Sequence, residues 1–173
     1  SNIVSTIAIF LSACGLIFNL FLYLERKRGK RLSMNVHLKA ASVLNQRIDS
    51  DSNSLFVSAI IENNSTENVI ISKLAIQSSE HTIEAEYSKR LVSTCNNGGN
   101  KYPLYTNKMP INISAKTGIP VLIEFRSHNY INWFFCHSSQ LKISTNKGLL
   151  SININLENSR MNFDYFLSYE SIL

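Results

Sequence analysis

Four histidines and three cysteines hold most of this chain's capacity for chemistry. His37 falls on the polar side of a strand-like alternation, His81 follows Glu80, and His128 and His137 flank an aromatic stretch. No CxxC, HxH or HExxH spacing is present to hold a metal. Cys136 and His137 are adjacent, but neighbouring strand side chains point to opposite faces, so adjacency alone does not give a thiol its base. Asp49 and Asp51 lie two apart in a polar, solvated loop where nothing would hold them around a substrate. Asn97-Gly98-Gly99-Asn100 lacks the lysine and the helix start of a phosphate loop. The expectation is a non-enzyme with no catalytic, metal or cofactor residues. The remaining catalytic alternative is an enzyme using Cys95 or Cys136 as nucleophile.

Binding chemistry is easier to place. Tyr130-Ile131-Asn132-Trp133-Phe134-Phe135 is either core or an exposed aromatic patch flanked by Arg126, His128 and Asn129, with core favoured and Trp133 the first choice for an exposed anchor. Lys89, Arg90, Lys101 and Lys108 surround the Gly-containing stretch 91–108, which reads as a long loop. Together with Arg126 and Trp133 they are the candidate partner or ligand contacts. The basic ones are compatible with a nucleotide second messenger through charge complementarity to phosphate. A nucleic-acid polymer is disfavoured. The net charge of +5 comes from Arg26, Lys27, Arg28, Lys30 and Arg31, and from Ser33 onward 12 basic residues face 11 acidic ones.

Two elements would position these residues. Ile3 to Leu24 is uncharged and free of proline. At about 1.5 Å per residue its 22 residues reach roughly 33 Å, the thickness of a hydrocarbon core. This predicts a transmembrane anchor over 1–24, a basic collar over 25–32 contacting lipid headgroups, and a domain over 33–173. The positive-inside rule sets the N-terminus outside and the domain in the cytosol at the inner membrane. Leu11-Ser12-Ala13-Cys14 has the look of a lipobox, but the apolar run continues past it. Within the anchor, Ser5, Ser12 and Asn19 repeat every seven residues, as do Ala8 and Gly15. Small and polar residues on one helix face predict self-association into a homo-oligomer, with Asn19 pairing across the seam.

From Leu32 on, apolar residues alternate with polar ones: Leu32 to Ala40, Leu55 to Ile61, Val69 to Gln77, Ile83 to Tyr87, Ile111 to Ile113, Val121 to Phe125, Leu141 to Ile143 and Leu150 to Leu156. Asn146-Lys147-Gly148 marks a hairpin turn. About eight short strands without an intervening amphipathic helix predict an all-β antiparallel sandwich. Met161 to Leu173 reads as a last strand or irregular edge in preference to a short docking helix. Asn63, Asn64 and Asn112 fit the glycosylation pattern, which is without meaning in a cytosolic domain.

Leu55 to Ile76, ending in ISKLAIQ, and PINISAKTGIPVLIEFR over Pro110 to Arg126 resemble small bacterial single-pass membrane proteins with a cytosolic immunoglobulin-like β-sandwich. The resemblance covers about half the domain and implies fold more than function. It also implies cargo of mobile or defence islands. The expected function is a membrane-tethered binding or adaptor module that self-associates through its helix and holds a cytosolic protein partner. The alternative is a ligand-gated effector of a bacterial anti-phage system.

Overall fold

The computed structural model describes residues 2–29, 32–44, 53–97, 100–127 and 131–170. Helix α1 spans Asn2–Gly29. Strands β1 (Met34–Leu44), β2 (Asn53–Asn63) and β8 (Thr117–Ser127) form an antiparallel sheet, sheet A, in the order β1-β2-β8. Strands β10 (Gly148–Ile154), β9 (Ser139–Thr145), β3 (Val69–Gln77) and β4 (Thr82–Glu84) form sheet B in that order, and β7 (Ile111–Ile113) also pairs with β3. Strands β5 (Leu91–Asn97) and β6 (Asn100–Tyr105) make a separate hairpin. Helix α2 is a single turn, Trp133–Cys136, and α3 spans Phe163–Glu170.

The main core lies between sheets A and B. Leu55, Val57, Ala59 and Ile61 of β2 and Val121, Ile123 and Phe125 of β8 face Ile71, Leu74 and Ile76 of β3 and Leu141 and Ile143 of β9. Period-two alternation sends one residue in two inward, as expected for antiparallel strands. The β9–β10 turn is the one its sequence demands: Gly148 has φ 132°, a conformation L side chains resist. The turn after β2 is fixed by Asn63, fully buried, whose Nδ2 donates to the carbonyls of Glu67 and Ile113 and whose Oδ1 accepts the Ser65 N–H. Asn63 is therefore closed to glycosylation.

Sheet A has a second covered face. Ala40, Phe56, Leu122 and Phe166 form a smaller cluster, joined by Val92, Leu104, Met161, Phe163 and Leu167 from the hairpin and α3. This explains why β2 is buried on consecutive residues from Ser54 to Ala59. The stretch 91–108, expected as a loop, is largely the β5–β6 hairpin, because Cα partners run from Leu91↔Tyr105 to Asn97↔Asn100. The C-terminal segment, expected as a strand or edge, contains α3, which places Phe166 against Phe56 and Leu122. A two-stranded hairpin has little stability of its own, and burial on sheet A supplies what local propensity lacks.

The expected anchor is corrected. Among the described residues no helix is long and apolar enough to cross a membrane. The single-pass fold class and the inner-membrane localisation with an outside N-terminus fall with it. The side chains of Ser5, Ala8, Arg26, Lys27 and Arg28, and all of Lys30 and Arg31, lie outside the described residues.

Candidate functional site

The candidate site is the outer face of sheet A, away from the main core. At its covered end Glu124 of β8 points outward opposite Phe56, with its side chain 0% exposed. Burying a charge is costly unless it is paired and hydrogen-bonded. Here Oε1 accepts three bonds: from Ser54 Oγ at 2.6 Å, Arg90 Nη1 at 2.5 Å and Arg126 Nε at 3.0 Å. Oε2 has no partner among the described residues. Arg90 is held in turn by Thr106: its N–H donates to Thr106 Oγ1 at 2.9 Å, and its carbonyl accepts the Thr106 N–H at 2.9 Å. The cluster therefore clasps the base of the β5–β6 hairpin to β8.

The six residues singled out from the sequence are distributed accordingly. Arg90 and Arg126 do meet, but on an internal carboxylate to which each gives one N–H. Lys89 Nζ lies over the Tyr105 ring, 4.3 Å from its centroid. Lys101 on β6 and Lys108 are exposed. The basic residues do not form one cradle for a phosphate. Trp133 sits elsewhere, in α2, half-buried, its ring stacked on His137 at 3.8 Å and edge-on to His81 at 5.4 Å. Its neighbours Ile131, Phe134 and Phe135 are buried core, as expected, while His128, Asn129 and Tyr130 lie outside the described residues. Beside α2 two polar clefts of about 350 and 480 Å³ share Ser138 and Ile154. Cys136 there is an exposed free thiol; Cys14 is another, and the Cys95 side chain is not described. His37 is exposed, as expected, and pairs with Glu62 at 3.3 Å. On α1, Ser12, Gly15 and Asn19 are all exposed.

The uncovered half of the same face holds a cleft of about 260 Å³. Ile60, Pro120 and Leu122 contribute apolar surface, and Lys39, Ser58 and Asn107 contribute polar groups. Three features build it. A bulge between Leu38 and Ala40 leaves Lys39 as the extra residue of β1, and Leu38 and Ala40 consequently face opposite sides of the sheet. Asn107 stands beside β8 like a short strand: its N–H donates to the Leu122 carbonyl at 2.7 Å and its Oδ1 accepts the Leu122 N–H at 2.6 Å. Ser58 is 4% exposed, yet its hydroxyl has no hydrogen-bond partner among the described residues and lines the cleft. Sequence reasoning missed all three. The available signals were the apolar pair Ala40-Ala41, which interrupts the alternation, and a serine inside the apolar run of β2.

No family model and no curated protein matches the sequence. Among solved structures the chain is similar to one described as "Crystal structure of protein from Archaeoglobus fulgidus", 12% identical, over 72% of this chain and 91% of that chain, with a TM-score of 0.34. A likeness at that level carries no argument about function.

Proposed function

We propose that the β domain is a non-enzymatic binding module that docks a protein partner on the open half of sheet A's outer face, and that copies of the chain associate through α1. The observation that carries the docking site is the division of that face: hairpin and α3 cover the Phe56–Leu122 half, and the other half keeps an apolar-floored cleft with polar groups at its rim. Concave, mostly apolar surface with a few convergent polar groups is the usual form of a binding site. Self-association is supported by α1, where Leu16, Ile17, Phe18, Leu20 and Phe21 are all strongly exposed, Leu16 at 72%. Exposed apolar helix surface of that extent is stable only when covered.

Amine-reactive cross-linking of the purified full chain with its partner tests the docking site. Cross-links should run through Lys39 and not through Lys142 on the outer face of sheet B; the reverse pattern overturns the proposal. The mass of the purified chain without partner should be a multiple of the chain, reduced in Asn19→Leu. A monomeric wild type, or an unchanged mass in the variant, removes the role of α1.

A further inference from the structure

Resting on that reading of the cleft, we infer that it takes the C-terminal residue of a polypeptide, an apolar side chain carrying a free carboxylate. The chemistry follows from donors that the fold leaves unspent. Lys39 is exposed and makes no ion pair among the described residues, so its ammonium stands at the rim without a counterion. The Ser58 hydroxyl, on a residue more than nine-tenths buried, opens into the cleft without a partner. Asn107 spends its backbone N–H and its Oδ1 on Leu122, and its Nδ2 makes no hydrogen bond among the described residues.

Lys39 and Ser58 lie on neighbouring strands and suit a single carboxylate, whose oxygens accept up to about four hydrogen bonds, while Asn107 stands two strands from Ser58, beyond Leu122, where its Nδ2 suits the adjoining peptide carbonyl. The apolar surface of Ile60, Pro120 and Leu122 suits an aliphatic side chain. No acidic residue lines the cleft to repel the carboxylate. Capture of a C-terminal carboxylate is a recurring way to recognise a peptide.

A polypeptide has room to continue from the cleft. The open half of the face extends to Gly118, opposite Glu62 in the strand register. A Cβ at Gly118 would meet Glu62 Cγ at 3.1 Å, so glycine keeps the surface low there. The bulge gives the site its cation: it makes Lys39 a supernumerary residue beside small Ala40, where regular alternation would give only one of them to this face.

The test uses matched probes on the full chain, read from backbone amide shifts of Ser58, Asn107 and Leu122. N-acetyl-leucine should bind saturably, with a Kd on the order of a few mM for a ligand of that size. N-acetyl-leucinamide, which differs only in lacking the charge, should bind at least about fivefold more weakly, and Lys39→Ala should abolish the difference. A hexapeptide ending in leucine should bind at least as well as N-acetyl-leucine. Equal binding of acid and amide overturns the carboxylate inference and leaves the cleft as an apolar docking site. Exclusion of the hexapeptide overturns the polypeptide source. Absence of shifts with every probe overturns both this inference and the docking site beneath it.

Discussion

The two faces of sheet A are covered by different means. The inner face meets sheet B across a two-sheet core in which β2 and β8 pair over eleven residues without a break, and its contacts are almost wholly aliphatic and aromatic. The outer face meets a two-stranded hairpin and a short helix, and it is held at one end by a buried carboxylate between two arginines. Burial without charge gives the inner face its stability. The outer face gives up some of that stability for a defined position of its cover, and for a boundary beyond which the sheet is free to bind. Where cover stops, the cleft begins.

Replacing Phe125, 1% exposed on the inner face, by alanine should have the largest effect on this comparison. The loss should be about 4 kcal/mol, with one cooperative transition moved to lower denaturant for the whole domain. If the outer cover melted separately while the inner strands kept their protection, the two faces would have exchanged roles.

Glu124→Ala should cost less, about 2 kcal/mol, mostly from the buried Ser54 hydroxyl left unpaired, since both arginines can return to water. Its effect should also be local. Hydrogen exchange should quicken at Thr106 and along β5–β6 but stay slow at Val57 and Ile123. Uniform acceleration would show that the clasp supports the whole sandwich and not the cover alone.

The smallest effect belongs to sheet B. There a hydrogen bond to Glu84 at 2.5 Å holds the Lys73 ammonium above the ordinary lysine range. A raised folded-state value means that the pair's contribution is fully present below the unfolded lysine value, near about 10.4, and is lost as pH rises through the folded one. Both side chains are exposed, so the contribution is slight. The denaturant midpoints of wild type and Lys73→Met should converge as pH rises past that range. A gap that persists at high alkalinity would assign the difference to packing of the lysine stem.

The pattern of the chain was enough for the inner half of the molecule. Leu55, Val57, Ala59 and Ile61 alternate in sequence and all face sheet B, Gly148 marks the hairpin turn, and Phe134 and Phe135 are core. These follow from a period of two and from local turn chemistry, which a sequence displays directly. The apolar character of residues 3–24 is just as visible, but the described part of α1 does not make a membrane span.

Only the tertiary structure decided the outer half. Burial of Glu124 depends on Arg90, 34 positions away, and on Ser54, 70 positions away. The hairpin and α3 become ordered elements because sheet A offers them Phe56 and Leu122. The cleft exists because a one-residue bulge in β1, a serine of β2 and an asparagine beside β8 meet on one surface. Alternation is a property of neighbours along the chain, whereas cover and cleft are properties of segments that come together only once the sheet has formed.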